Sequence, residues 1–208
     1  MSPQGNVYQK LISAAQEELG KTGVIPGSAK ELSHLAGLSE QDVQDNFGSV
    51  QDLRDGLIYQ GITMLNDRLR EGLVESDPND PIAQLNSMAV SYANWAYENT
   101  ALLTLITHGM AQPMQEDSTL YRFNISMRDL LRRKLQHMQS LGILSQDADL
   151  NVLMVALHCM IKGANTMFIV GPGDRWFQDD SHDVRATVTS MFAQFLQWMV
   201  LANPGNAE

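Results

Sequence analysis

Apolar side chains recur along this chain at intervals of three and four and never in sustained alternation, a pattern that predicts helices and no strand. Val7, Leu11, Ile12, Ala15 and Leu19 form one stripe over residues 7–20, which Gly20, Gly23 and the turn at Pro26-Gly27 bring to an end. Leu53, Leu57, Ile58, Ile62, Leu65 and Leu69 form another, in one long helix over residues 49–75. Asp77-Pro78-Asn79-Asp80-Pro81 breaks that helix, and Pro81 suits the first turn of the next. The same reading predicts helices over about 81–99, 101–110, 118–140, 147–170 and 183–202, the last two separated by a loop at 171–177.

Between the first two stripes the signals are local ones. Ser28-Ala29-Lys30-Glu31, Ser39-Glu40-Gln41-Asp42 and Ser49-Val50-Gln51-Asp52 each place an acid three residues after a serine. In such a capping box the serine oxygen accepts an orphan amide, and the carboxylate reaches back to the serine amide. Gly37 sits where a sharp inter-helix turn needs the left-handed conformation, so the two short helices on either side form a helix-turn-helix unit. The expected fold is all-α with about nine helices: a three-helix head over residues 1–48 and a six-helix body over 49–208, linked by the helix at 49–75.

Composition narrows the picture. The 208 residues are 44% hydrophobic with a formal net charge of −10, enough for a substantial core and mildly repulsive to nucleic acid and anionic membranes. Cys159 is the single cysteine, so no intramolecular disulfide forms, as suits a reducing cytoplasm. The N-terminus lacks the pattern of a signal peptide. The greasiest segment, 150–170, is interrupted by Asn151, His158, Lys162 and Asn165, which a membrane span tolerates badly. A cytoplasmic protein with no membrane partner is expected.

The body is rich in methionine and aromatics. For any one of them packing is the simpler role, although such side chains also line adaptable apolar cavities. His158, Lys162 and Asn165 fall at i, i+4 and i+7 of one helix with Thr166 beside them, and an unpaired ammonium buried there would be costly. A satisfied core histidine is the plainer reading of His158. Taken together the stripe suggests the polar end of a chamber to which Tyr92, Trp95, His108 and Met127 also contribute, suited to a small hydrophobic effector. On the last helix Val184, Val188, Met191, Phe192, Phe195, Leu196 and Met199 make an apolar stripe too wide for one helical body to bury, and a two-fold dimer interface is its expected use. Arg128, Arg132, Arg133 and Lys134 concentrate positive charge, most simply as a solvated face.

The run Ile12-Ser13-Ala14-Ala15, Gly23, Ala29-Lys30-Glu31-Leu32-Ser33-His34-Leu35-Ala36-Gly37-Leu38-Ser39, Phe47-Gly48-Ser49 and Leu53 resembles the N-terminal domain of the tetracycline-repressor (TetR) family over about the first quarter of the chain. Tyr92-Ala93-Asn94-Trp95-Ala96-Tyr97-Glu98-Asn99-Thr100-Ala101-Leu102-Leu103 is similar to a stretch of one TetR body subgroup. The resemblance implies a homodimeric ligand-responsive regulator whose third helix enters the major groove of double-stranded DNA, released by its effector. It places the DNA-facing positions at Ser28, Lys30, Ser39, Gln41, Asp42, Gln44 and Asn46.

At those positions the chain departs from the family. The family usually has threonine or alanine where Asp42 stands, tyrosine at Gln44, histidine or tyrosine at Asn46 and lysine at Val50. With Val43 and Phe47 inward, Gln41, Asp42 and Asp45 face out, and residues 1–60 hold eight acids against four bases, a net of −4. Glu40 and Asp42 suit the positive end of the helix dipole, but Asp45 has no such role. Two readings follow: a DNA-binding regulator, and a sensor that has lost ordinary DNA binding and acts through a protein partner. No paired-cysteine, His-x-x-x-His, phosphate-loop or Gly-x-Ser-x-Gly pattern is present. His158 and Cys159, adjacent on a helix, diverge by about 100°. Neither catalytic residues nor a metal or cofactor site is expected.

Overall fold

The computed structural model describes residues 3–171 and 183–201. Among them are nine helices and no strand: α1 (Pro3–Thr22), α2 (Ala29–Ala36), α3 (Glu40–Asn46), α4 (Val50–Glu75), α5 (Pro81–Glu98), α6 (Thr100–Met110), α7 (Thr119–Ser140), α8 (Leu150–Val170) and α9 (Val184–Leu201). All but the first residue of the expected loop at 171–177, and the last residue of the expected final helix, lie outside the described residues.

The boundaries follow local chemistry. α1 begins four residues before its apolar stripe, at Pro3, whose fixed φ suits a first helical turn. α8 begins at Leu150 rather than 147, because Asp149 caps it by accepting from the Asn151 and Val152 amides at 2.8 and 3.4 Å. Asp147 instead lies in the preceding turn, its amide donating to Ser145 Oγ at 3.2 Å.

Two compact units form, and their division does not fall at 48/49: one comprises residues 1–64 and 99–115, the other 65–98 and 116–208. The reason is the length of α4. Leu53, Leu57, Ile58 and Ile62 of its first half are buried, so the first unit cannot end where that helix begins. In this unit Leu11, Ile12, Ala15 and Leu19 are buried as their spacing predicts, and α6 packs on α1. Gly56 lets α1 approach closely, since a Cβ there would lie 2.9 Å from Ile12 Cδ1. Tyr8 stacks obliquely on Phe47, ring centroids 5.3 Å apart, which holds the end of α3 against α1.

In the second unit α9 packs on α5, and α5, α7 and α8 pack on one another. Trp95, Met88, Leu135, Met138 and Leu157 are buried here. Three side-chain bonds set the register of these helices. Arg132 of α7 donates to Asn151 of α8 at 3.0 Å, Lys134 of α7 to Gln84 of α5, and Tyr92 of α5 to Asn165 of α8. α7 and α8 are an antiparallel hairpin, its turn braced by Gln139 Nε2 donating to the Ser145 and Ala148 carbonyls, both at 3.0 Å. α5 therefore runs alongside α8 and against α7.

Candidate functional sites

The first candidate site is the turn from α2 to α3. Ser28 caps α2 by accepting from the Glu31 amide at 3.2 Å, while the Glu31 carboxylate accepts from Gly27 N at 2.8 Å, one residue short of a reciprocal box. Gly37 takes φ 63° and ψ 38°, and its amide and that of Leu38 close on the His34 and Ser33 carbonyls. At Ser39 both halves of the box are made: the Asp42 amide donates to Ser39 Oγ at 3.1 Å, and Asp42 Oδ2 accepts from Ser39 N at 2.9 Å and Ser39 Oγ at 2.6 Å. The Ser39 hydroxyl, and then its amide, hold the Asp42 carboxyl below the usual range.

Val43 and Phe47 are buried, so the opposite face of α3 is the outer one, as expected. Gln41, Gln44 and Asp45 are exposed there, with Asp42 and Asn46 half-buried. Gln41 Nε2 donates to Asp45 Oδ1 at 2.7 Å and Asn46 Nδ2 to the Asp42 carbonyl at 2.7 Å. Ser28 and Lys30 are exposed on the α2 side and Val50 is exposed at the start of α4. The face is hydrogen-bonded within itself and presents carboxylates where a polyanion would need cations.

The second candidate site lies in the second unit, and it separates residues that the sequence placed together. His158, Lys162 and Thr166 are exposed on the outer face of α8, whereas Asn165 is 8% exposed and faces α5. Asn165 lies about 60° round from Lys162, so the expected stripe straddles the edge of the buried face. The expected polar end with Lys162 is therefore corrected to the pair Tyr92–Asn165, with Phe168 edge-on to the Tyr92 ring at 6.4 Å. Burial pushes the Tyr92 phenol up, so it stays protonated and donates. Trp95 is fully buried, Met127 half-buried on α7, and His108 exposed at the end of α6 in the first unit. Tyr121, Phe123, Met127, Met154, Met160 and Met167 are all half-buried, and on α7 no side chain before Leu135 is fully buried.

The third concerns α9. Val188, Phe192, Leu196 and Met199 are buried within the chain's own second unit, and Val184, Met191 and Phe195 half-buried. Four of the seven expected interface residues are thus core, on a helix that packs against α5 of the same chain. Exposed large apolar side chains of this unit lie elsewhere, among them Val152, Val155 (63% exposed) and Val170 of α8 and Trp198 of α9 (57% exposed), whose ring stacks on Phe195 at 5.8 Å, besides Val74, Val90, Tyr97 and Leu141. The available signal was that α8 carries valines at 152, 155 and 170, on the side opposite its buried residues. By length and composition α8 could also cross a membrane, and 22% of its apolar 18-residue window is buried in this fold.

The basic run is largely engaged. Arg128 pairs with Asp129 at 3.2 Å, Arg132 with Asn151, and half-buried Lys134 with Gln84, itself buried and donating to the Asp77 carbonyl at 2.9 Å. Among the described residues no cluster of three His, Cys, Asp or Glu side chains could hold a metal ion.

No family model and no curated protein matches this sequence. Solved structures do. A protein of unknown function from Rhodococcus sp. RHA1 superposes with a TM-score of 0.76 at 22% identity, over 93% of this chain and 95% of that one. A TetR transcription regulator from Haloarcula marismortui ATCC 43049 gives 0.73 at 18% identity, over 94% and 99%. The fatty acid degradation regulator FadR from Bacillus halodurans gives 0.67 at 16% identity, over 91% and 97%. At such identities the likeness is one of architecture, and the architecture of this chain is the all-helical fold of TetR-family transcriptional regulators.

Proposed function

We propose that this chain is a cytoplasmic, ligand-responsive transcriptional regulator, a binding protein and not an enzyme, working as a homodimer and released from DNA by a small apolar effector. The observation that carries this reading is the pairing of a fully capped α2–Gly37–α3 turn with whole-chain likeness to TetR-family regulators. The outer face of α8, where Val152, Val155 and Val170 stand among His158, Lys162 and Thr166, serves with Trp198 of α9 as the surface on which a second copy docks. The half-covered apolar lining between α5, α7 and α8 holds the effector; that one similar structure is a regulator of fatty acid degradation is in keeping with an apolar molecule.

α3 contacts the major groove through Gln41, Gln44 and Asn46, with Ser28, Lys30, Ser39 and Asp42 on the same side. Glutamine and asparagine pair with adenine edges, and aspartate accepts from cytosine. Because Asp42 and Asp45 release no counterions from the duplex, binding is weak and varies little with salt. Selection of bound sequences from random duplex DNA at low ionic strength tests the proposal: enrichment of a two-fold motif with half-sites one helical turn apart is expected. Asp45→Lys should tighten binding and steepen the slope of log K against log salt by about one. No enrichment with either protein defeats DNA reading, and favours the acidic face of α3 as a surface for a protein partner.

A further inference from the structure

Asp45 stands where a helix that reads DNA should least carry a carboxylate. At 100° per residue it lies about 160–200° round from both buried anchors, Val43 and Phe47, in the middle of the outer face. The other acids of α3 have structural duties. Asp42 completes the cap with Ser39, and Glu40 lies in the first turn, at the positive end of the helix dipole. Asp45 lies beyond that turn and serves neither purpose. Its bonded neighbour is Gln41, one turn back on the same side, whose Nε2 donates to Asp45 Oδ1 at 2.7 Å.

That bond fixes what Gln41 presents. A carboxylate only accepts, so it holds the amide with its nitrogen towards Asp45 and disfavours the flipped sense. One amide hydrogen is committed to Asp45; the second, with Oε1, is the edge left for a base. An acceptor beside a donor matches adenine, whose N6 donates and N7 accepts in the major groove. The other amides of the helix are placed differently. Gln44 lies on the flank, about 100° from Val43, and Asn46 has its nitrogen turned back to the Asp42 carbonyl at 2.7 Å. Gln41 is therefore the amide in the middle of the face that is oriented before DNA arrives, and a side chain already ordered loses less freedom on binding. The repulsion between Asp45 and phosphates weakens binding to every sequence alike, whereas the orientation it imposes favours one base.

We propose that Asp45 is a positioning residue for base reading, which orients Gln41 to read an adenine in the major groove. This rests on the reading of α3 as the helix that contacts DNA. In the test, the motif that the full chain selects from random duplex DNA is remade with every other base pair at each adenine, and affinities are compared at low ionic strength. One adenine should lose its preference in Gln41→Ala. At that position Asp45→Ala should lower the preference about three- to tenfold while tightening binding to all sequences. Asp45→Asn, which keeps an acceptor without the charge, should tighten binding likewise but hold the preference within about twofold of the native chain. Asp55→Ala breaks a bond of the same kind on α4, Gln51 Nε2 to Asp55 Oδ1 at 2.9 Å, and should leave the preference unchanged. Asp45 and Gln41 are exposed, so an unaltered Tm is expected in each variant. A preference that survives in Asp45→Ala, an equal loss in the alanine and asparagine variants, or a motif with no adenine dependent on Gln41 overturns the proposal and leaves DNA reading by α3 standing. If no motif is selected, DNA reading falls and the proposal with it.

Discussion

α3 and α8 are both candidate interaction helices, and they are built in opposite ways. α3 has seven residues, buries only Val43, and is held by bonds between neighbours in sequence: Ser39 with Asp42, Gln41 with Asp45, Asn46 with its own helix. α8 has 21 residues, buries Leu157, Ala164, Asn165 and Phe168, and leaves Val152, Val155 and Val170 exposed among polar residues on its other side. A short helix in water is marginal, so α3 depends on its cap and on the contact of Phe47 with Tyr8. α8 depends on burial, and its outer face is surplus to the needs of one chain. Locally stabilised elements are thus sensitive to capping chemistry, and packed elements to volume.

The largest effect should come from breaking α8 on its inner side. Leu157→Ala should cost about 2–5 kcal/mol in chemical denaturation, through lost transfer energy and the cavity left behind. Val155→Asp, one face away, should leave the fold intact but give a monomer in sedimentation. If Val155→Asp unfolds the chain instead, the outer face is core and the contrast fails.

On α3 the corresponding change is Ser39→Ala, which removes a cap worth about 0.5–2 kcal/mol. Loss of amide protection confined to α2 and α3 in hydrogen exchange would show that the cap acts locally. Protection lost uniformly along the chain would erase the distinction drawn between the two helices.

The smallest effect is the acid limb of the same cap. Asp42 is held below its unfolded value of about 3.9, so its stabilisation is complete above that pH and disappears as pH falls through the lower folded value. The stability difference between the native chain and Asp42→Asn should therefore be flat from pH 7 to about 5 and shrink below about 4. A difference unchanged down to pH 2 would mean that the carboxylate's charge contributes nothing there.

Helix positions, the Gly37 turn, the Ser39 box and the inward residues of α1, α3 and α4 were legible in the sequence because each depends on contacts within a few residues or on one periodicity. The polar stripe of α8 was not. Its members sit within a narrow arc, and only the neighbouring helix decides that Asn165 falls inside and Lys162 outside. The α9 stripe misled for a similar reason. Breadth of an apolar face does not reveal that α5 of the same chain packs against it, nor that Val152, Val155, Val170 and Trp198 are left exposed.

Sequence alone determined that this chain is all-helical, that its head carries a capped turn with an acidic outer face, and that no paired-cysteine or His-x-x-x-His pattern is present. Those conclusions follow from backbone periodicity, local hydrogen bonding and composition, which need no partner element. Tertiary structure decided which side of α8 faces Tyr92 and how α4 divides between two compact units. Such choices depend on the shape and volume of surfaces brought together from distant parts of the chain, and a linear pattern does not encode which of two apolar faces finds its neighbour first.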